Sequence, residues 1–332
     1  MSPVTQASAA PPGTRAAWSR GYDPARSSGP AVARVFQRAF ALVLLCAWLS
    51  LATQVPVLIG SRGLLPAAQL FSRAAARGLH AWDLPSLFWL GHGDFALLAG
   101  AALGALLSVF ALGGLKPRLC FALSAPLYLS YASACSDFTA FQWDNMLVEV
   151  ALLAAFLPAD RPARLAHFAF RALLFKLYFE SGIAKWQSYL HDWQDGSAMR
   201  YYYETAPLPA ALAFYAHHLS PAVHRLESWG ALVLELVVPF LIFGPLRARH
   251  AAFAAFTGFQ VLNTATANYG FFTYLSLSLH VFLLSDADVA RAPGLARNRN
   301  DAGVRERAPG SRLRARATSA SLSKNTCKLS DK

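Results

Sequence analysis

Apolar runs separated by short polar turns follow one another along most of this chain. Eight runs are predicted to be helical spans: residues 35–59, 95–115, 119–134, 141–157, 165–185, 226–243, 251–267 and 269–284. A helix needs about 20 apolar residues to cross the hydrocarbon core of a bilayer, so the third, fourth and eighth runs are short for this purpose. The pattern predicts an all-α, polytopic transmembrane helix bundle of about eight spans, or of six if the third and fourth runs form a re-entrant pair.

The two ends of the chain lack this pattern. Residues 1–34 are predicted to be a disordered, cationic segment, and residues 287–332 a disordered, Arg-rich tail that follows the transmembrane domain at 35–286. Only 14% of the residues are charged, against about 25% in soluble domains, so we expect an integral, multi-pass protein whose partner is the lipid bilayer. Residues 291–332 hold eight of the twelve net positive charges. The remainder therefore offers no folded basic face for nucleic acid.

Basic residues in the loops predict the orientation of the bundle. Three short loops carry pairs of them: Lys116 with Arg118, Arg161 with Arg164, and Arg247 with Arg249. The loop at 186–224 carries Arg200 alone, whereas the first loop that this orientation places outside carries Arg62, Arg73 and Arg77 and is an exception. Because Lys and Arg near the span ends keep loops cytoplasmic, both termini are predicted to be cytoplasmic and the loop at 186–224 to lie outside. The membrane is expected to be the cytoplasmic one in a bacterium and the endoplasmic reticulum in a eukaryote.

Polar and ionisable residues interrupt the apolar runs, and at membrane depth each is a candidate functional residue because its transfer to hydrocarbon is costly. These candidates are Gln142, Asp144, Glu149, Lys176, Glu180, Lys185, Glu235, Asn263 and Asn268. Lys176 and Glu180 are four residues apart on one helix face, so they are expected to neutralise each other. The alternative role for the whole set is hydrogen bonding between helices in the interior of the bundle.

The loop at 186–224 combines aromatic, acidic and histidine residues. Its candidate functional residues are Trp186, Trp193, Tyr202, Tyr203, Glu204, Thr205, Pro207, His217 and His218. Residues 201–203 are predicted to form an aromatic ledge beside a turn fixed by Pro207 and Pro209. Neighbouring histidines point in different directions on a helix, so no metal site is expected. The chain has no hydrolase, P-loop or dinucleotide motif, and no cofactor is expected.

A series of local motifs resembles the lipase maturation factor family over residues 35–286. The motifs are Ile59-Gly60-Ser61-Arg62-Gly63-Leu64-Leu65-Pro66, Phe141-Gln142-Trp143-Asp144 with Glu149, Ser181-Gly182-Ile183-Ala184-Lys185, Tyr202-Tyr203-Glu204-Thr205 with Pro207 and Pro209, His217-His218-Leu219, and Glu235-Leu236-Val237-Val238-Pro239 with Gly244-Pro245. This resemblance implies a non-catalytic, chaperone-like membrane protein that assists the folding of an exported or lumenal client such as a lipase. Its loop at 186–224 would receive that client.

The run from Ser181 to Lys185, followed by a Trp-Gln-Asp-Gly turn, is also similar to the wider superfamily of vitamin K-dependent γ-carboxylases. That resemblance implies an integral membrane enzyme with Lys185 as its base or nucleophile. Glu149, Glu180 or Glu235 would then be the partner of the lysine. The sequence therefore leaves two hypotheses open: a folding factor that binds clients, and a membrane enzyme that uses Lys185.

Overall fold

The computed structural model describes residues 23–206 and 209–292, and these residues form helices and turns without a β-strand. The helices are α1 (Pro30–Leu58), α2 (Ala67–Ala76), α3 (Asp94–Leu112), α4 (Pro117–Cys135), α5 (Gln142–Ala155), α6 (Arg164–Trp186), α7 (Asp192–Asp195), α8 (Ala198–Thr205), α9 (Ala213–His217), α10 (Pro221–Leu236), α11 (Leu246–Thr266), α12 (Phe272–His280) and α13 (Asp286–Arg291). Short 3-10 turns lie at Leu87–Trp89, Ser136–Thr139, Val238–Phe243 and Val281–Leu283. The prediction of an all-helical protein is confirmed.

Four helical segments of the described chain are long and apolar enough to cross a membrane. They are Pro30–Leu58, Asp94–Leu112, Pro117–Thr139 and Pro221–Phe243. The other four predicted spans are also largely helical, but they are shorter or less apolar; Phe272–Leu283, for example, is a short apolar helix. The described residues thus support a multi-pass membrane protein, as the apolar pattern predicted.

At both ends, the helices extend further along the chain than the predicted transmembrane domain at 35–286. Helix α1 begins at Pro30, inside the segment predicted to be disordered, because the Asp286 carboxylate accepts hydrogen bonds from the backbone N–H groups of Gly29, Ala31 and Val32 at 2.8, 3.1 and 3.1 Å. A carboxylate at this place satisfies N–H groups that have no partner within the helix. Asp286, the last residue of the predicted transmembrane domain, itself opens α13, whose other residues belong to the predicted tail. Residues 1–22 and 293–332, also predicted to be disordered, lie outside the described residues.

Small residues let α1 and α3 approach closely. A Cβ atom on Gly104 would lie 2.2 Å from the ring of Trp48, which is fully buried and packs edge-on against Tyr128 and Tyr131 with ring centroids 5.2 and 5.5 Å apart. Larger residues would therefore separate the helices. This contact gives a physical reason for the glycines in the second apolar run.

Helix α6 is fixed in the bundle by its aromatic residues and by one glycine. Phe170 stacks on Phe282 with ring centroids 4.3 Å apart, and Tyr178 stacks on Phe256 at 3.9 Å. One turn beyond Tyr178, a Cβ on Gly182 would lie 2.8 Å from Leu236. Helices α6 and α10 thus pass very close at Gly182, and this approach aligns the polar residues that follow it on α6 with those of α10.

Candidate functional site

Lys185 and Glu235 form an ion pair between α6 and α10. The Lys185 ammonium donates to both carboxylate oxygens of Glu235 at 2.8 and 2.7 Å and to Ser181 Oγ at 2.9 Å. The Glu235 side chain is 4% exposed and that of Lys185 is 22% exposed. Charge-assisted hydrogen bonds of this geometry are the strong kind. The two candidates that the sequence placed on separate spans therefore meet in one site.

Two neighbours complete the surroundings of the Lys185 ammonium. Ser181, one helical turn earlier on α6, donates its hydroxyl to Glu235 Oε1 at 3.3 Å. The indole of Trp193, on α7, lies with its ring centroid 5.2 Å from Lys185 Nζ, which is a cation–π distance. The loop at 186–224 thus contributes directly to the ion-pair site through Trp193.

A second polar network lies two turns away on the same face of α6. The Tyr178 hydroxyl is 2.9 Å from His280 Nε2 on α12 and accepts a hydrogen bond from Gln260 Nε2 on α11 at 3.1 Å. The other ring nitrogen of His280 lies 3.1 Å from the hydroxyl of Thr257. Tyr178 was not among the candidates from the sequence; its spacing from Ser181 and Lys185, three and seven residues, is the signal that would have found it.

A cavity of about 830 Å³ joins the two networks. It is bounded by α6, α10 and α11 and is covered by residues of α8 and of the segment before α12. The polar residues that line it include Gln142, Tyr178, Ser181, Lys185, Tyr203, Glu227, Glu235, Gln260 and Asn263. The volume falls in the range of about 300–1,000 Å³ that is usual for sites of small organic ligands. This cavity is the candidate functional site.

The loop at 186–224 is held on α10 by hydrogen bonds. The Met199 backbone N–H donates to Ser228 Oγ at 3.2 Å, and the Trp229 indole N–H donates to the Gln194 carbonyl at 3.0 Å. His224, which is buried, lies 2.9 Å from Glu227 and 3.2 Å from the His217 carbonyl. The loop is therefore fixed to the bundle at both ends of its folded part.

Within this loop, the three consecutive tyrosines have different environments. Tyr201 is exposed, whereas the Tyr202 hydroxyl contacts the Tyr269 hydroxyl and Tyr203 is buried. Tyr203 donates to Glu227 at 3.3 Å; burial, aided by this carboxylate, raises the pKa of its hydroxyl to about 12. The aromatic ledge predicted at 201–203 is therefore reduced to Tyr201, because successive residues of helix α8 point to different sides.

Other aromatic residues of the loop are exposed instead. Besides Trp186 and Tyr201, they are Tyr189, Phe214 and Tyr215. The last three were not singled out from the sequence, since nothing in their local pattern distinguishes an exposed aromatic residue from a buried one. We call these five residues the aromatic loop surface.

The remaining loop candidates lie beside this surface. Glu204 and His217 approach to 4.0 Å, and the Thr205 hydroxyl donates to the Tyr201 carbonyl at 2.9 Å. The ring of His218 packs against Phe214 with centroids 4.4 Å apart. Pro207 lies outside the described residues. Thr205 therefore contacts the exposed Tyr201, and His218 contacts the exposed Phe214.

The sequence predicted that Lys176 pairs with Glu180. In the structure, Lys176 pairs instead with Glu149 of α5. Its ammonium is 2.8 Å from Glu149 Oε1, and the two side chains are 46% and 41% exposed. Glu180 is exposed on the same helix. The prediction was wrong because a residue four positions away on one helix competes with acceptors on the neighbouring helix, which only the packing of α5 against α6 reveals.

The other intramembrane candidates do not converge on one place. Asp144 is buried and accepts a hydrogen bond from Tyr128 at 2.7 Å. Asn263 lines the cavity, whereas Gln142 is exposed at its edge and Asn268 is exposed at a second cavity of about 650 Å³. The expectation that the polar faces all satisfy one another in the interior therefore holds for Asp144, Lys185 and Glu235, and not for the full set.

The family described as the lipase maturation factor transmembrane domain matches residues 31–291. Lipase maturation factor 2 of Homo sapiens is 35% identical over 292 residues, which cover 79% of this chain and 41% of the human protein. The Gallus gallus protein of the same name is 32% identical, with 80% and 40% covered. Lipase maturation factor 1 of Bos taurus is 31% identical, with 76% and 48% covered.

The matched relatives are longer than this chain. The alignments cover 40–48% of the three proteins named above, so the chain spans less than half of their length. No solved structure matches the chain.

Proposed function

The chain belongs to the lipase maturation factor family, and from this premise we propose that it assists the maturation of an exported or lumenal protein, with a lipase as the expected client. Its part in this process is that of a non-catalytic, chaperone-like membrane protein. The names of its relatives supply the client class. The observation that supports a particular binding site for the client is the aromatic loop surface.

This surface has the properties of a docking site. Its five aromatic side chains are exposed on a loop that is held on α10 by hydrogen bonds. Tyr and Trp are enriched among residues that dominate binding energy at protein interfaces, and a surface held in place loses little conformational entropy on binding. A partly folded client exposes apolar segments, which match such a surface.

Double substitution of Phe214 and Tyr215 by Ser tests the docking site. In the native host, with its own copy of the gene deleted, this variant should restore less specific activity of the secreted lipases than the parent protein does. Trp82→Ser is the matched control, since Trp82 is an exposed aromatic residue of another loop. Equal rescue by the two variants would contradict the docking role, and unchanged lipase activity after the deletion would contradict a lipase client.

The proposal includes a topology of eight spans with both termini in the cytoplasm, which places the loop at 186–224 outside. The membrane is then the endoplasmic reticulum in a eukaryote and the cytoplasmic membrane in a bacterium. Ser220 is exposed in the loop, so Ser220→Cys in a chain without native cysteines should react with a membrane-impermeant maleimide from the outside only. Ser311→Cys provides the cytoplasmic control. Labelling of Ser220→Cys from the cytoplasmic side would overturn the topology.

An integral membrane enzyme that uses Lys185 is the second candidate, and the position of Lys185 in the cavity favours it. The ammonium, however, already has three acceptors in Ser181 and Glu235, which suits a charged, fixed lysine better than a free base. Lys185→Arg separates the two functions, because Arg keeps the charge and cannot exchange a proton near neutral pH. Full client maturation by this variant would exclude Lys185 as a base.

A further inference from the structure

The second cavity, of about 650 Å³, has a single charged side chain in its wall. It lies where α1 and α4 end and α5 begins, and residues of α8 and of the segment before α12 complete the wall. Asp144 is the only acid among the described lining residues, and no lysine, arginine or histidine is among them. A ligand in this cavity therefore meets one negative group and no positive one.

The Asp144 carboxylate is buried, but only one of its oxygens has a partner. The residue is 4% exposed, and its Oδ1 accepts the hydrogen bond from Tyr128 at 2.7 Å. Its Oδ2 has no hydrogen-bond partner among the described residues, yet it is not one of the fully enclosed atoms. Since Asp144 lines the cavity, this oxygen is open to it. Buried carboxylates are usually paired with a cation or hydrogen-bonded, so Oδ2 indicates a positive group on the cavity side.

The neutral polar groups of the lining do not complete Asp144. Five hydroxyls already take part in hydrogen bonds within the protein, namely those of Tyr128, Thr139, Tyr202, Thr205 and Tyr269. The other polar groups of the described lining are the Ser50 hydroxyl, the Cys135 thiol, the Trp143 indole N–H and the amides of Gln54 and Asn268. Of all these groups, only Tyr128 hydrogen-bonds to the carboxylate. They can contact neutral parts of a ligand, whereas an anion would lie beside an uncompensated negative charge.

The aromatic side chains of the lining indicate which kind of cation fits. Seven of the described lining residues are aromatic: Tyr128, Phe138, Phe141, Trp143, Tyr202, Tyr269 and Phe271. Ring faces attract organic ammonium groups, and quaternary ammonium ligands are bound in cavities lined by such rings. A quaternary ammonium has no N–H, so it needs only the opposite charge and the rings, whereas a primary ammonium has three hydrogen bonds to donate. Calcium needs six or more oxygen ligands, and the described residues hold no group of acids, histidines or cysteines suited to a metal ion.

We propose that the second cavity binds a quaternary ammonium group of the choline type. The positive charge lies beside Asp144 Oδ2, and the methyl groups contact the aromatic rings. Because the cavity lies where spans end, the head group of phosphatidylcholine can reach it as well as free choline. This inference goes beyond the proposed function: it rests on the second cavity alone and is tested by binding, so it stands or fails separately from the client.

Saturation-transfer difference NMR on the equivalent methyl protons of choline tests the ligand class. With the full chain in dodecyl maltoside micelles, the choline signal should exceed that from empty micelles and should saturate with concentration. Excess tetramethylammonium should suppress it, whereas 3,3-dimethylbutanol, the neutral isostere of choline, should not, and ethanolamine should compete less well than tetramethylammonium. Equal suppression by the isostere would overturn the requirement for charge, and equal suppression by ethanolamine would overturn the quaternary class.

Short-chain lipids separate the two sources of the ammonium group. Dihexanoylphosphatidylcholine should give the same methyl signal, and dihexanoylphosphatidylglycerol, which has the same chains without the ammonium, should not displace it. A lower dissociation constant for dihexanoylphosphatidylcholine than for choline identifies the lipid as the source, and the reverse order identifies free choline. Displacement by dihexanoylphosphatidylglycerol would show binding through the acyl chains and would overturn the proposal. The absence of a signal from both choline and dihexanoylphosphatidylcholine would do the same.

Three variants locate the site. Asp144→Asn keeps an acceptor for Tyr128 and removes the charge, so it should raise the dissociation constant of choline about tenfold or more. Trp143→Leu removes one ring and should raise it about fivefold. Glu149→Gln is the matched control, because it removes an acid of the same helix that does not line the cavity, and it should leave binding unchanged.

Undiminished binding in Asp144→Asn, with elution and helical signal like the parent, would overturn the assignment of the charge. Undiminished binding in Trp143→Leu would overturn the assignment of the aromatic wall, even if Asp144→Asn failed to fold. A loss in Glu149→Gln as large as that in Asp144→Asn would show that binding depends on the net charge of α5 and not on this cavity.

Discussion

Helix α6 carries two ion pairs of nearly the same geometry in very different surroundings. Lys185 is 2.7 Å from Glu235, and Lys176 is 2.8 Å from Glu149. Glu235 is almost fully buried in the wall of the cavity, whereas both members of the other pair are more than 40% exposed. The distances alone would rank the pairs as equals. Their surroundings predict different costs of breaking each pair, because removing one charge of a buried pair leaves the other charge without compensation.

The comparison also separates two roles for charge at membrane depth. The buried pair is connected to Ser181, to Trp193 of the loop and to the cavity, so it links the loop to the cavity. The exposed pair joins α5 to α6, and neither of its members lines the two cavities described above. A charged residue in a membrane helix is thus a candidate for function at the buried pair and a contact between helices at the exposed pair.

The largest effect is expected for Glu235→Ala. The variant leaves the Lys185 ammonium partly buried and unpaired, so it should lower the free energy of unfolding by about 3–5 kcal/mol. Unfolding in detergent micelles, followed by circular dichroism, measures the loss. The double variant Lys185→Met/Glu235→Leu should recover most of it, because no charge is left behind. A loss as small as that for the exposed pair would remove the distinction between the two.

Gly182→Ala should have the next largest effect. The added methyl would lie 2.8 Å from Leu236 and 3.0 Å from Glu235 Cβ, so it must push α10 away from α6 at a cost of about 1–3 kcal/mol. Gly230→Ala is the matched control in the opposite wall, where the new methyl meets no atom within 4 Å. Equal stability of the two variants would mean that the close approach of α6 and α10 at Gly182 does not position the buried pair.

Tyr178→Phe tests the network beside the buried pair. Loss of the hydroxyl deprives Gln260 and His280 of a shared partner, and we expect a loss of about 1 kcal/mol, as for hydrogen bonds between membrane helices. Tyr189→Phe serves as the control, since Tyr189 is exposed. Thermal unfolding of both variants in the same detergent gives the comparison. An unchanged Tyr178→Phe would indicate that the network is already satisfied by other groups.

Lys176→Ala should have the smallest effect, at most about 1 kcal/mol, because an ion pair that water reaches contributes little. The measurement is the same unfolding transition, with Glu149→Ala as the companion substitution. A loss of several kcal/mol in nanodiscs, absent in detergent, would contradict the exposure of this face and would show that lipid or protein covers it in the membrane.

The sequence by itself determined the features that depend on neighbours along the chain. The apolar runs predicted the helices because a helix buries residues three and four positions apart on one side. The motif around Lys185 marked the helix that carries the candidate site. These inferences needed only the period of the helix, which is the same in every protein.

Only the tertiary structure decided which residues meet across helices. A helical period gives the face of Lys176 and of Lys185, but not the rotation and offset of the adjacent helices. Lys176 therefore pairs with Glu149 rather than Glu180, and Lys185 reaches Glu235, fifty residues later. The same reason holds for the absence of a partner for the buried Gln260 Oε1 and for the burial of Tyr203. The ring contacts of Phe170 and Tyr178 and the close approach at Gly182 fix those offsets, and that packing depends on the whole fold.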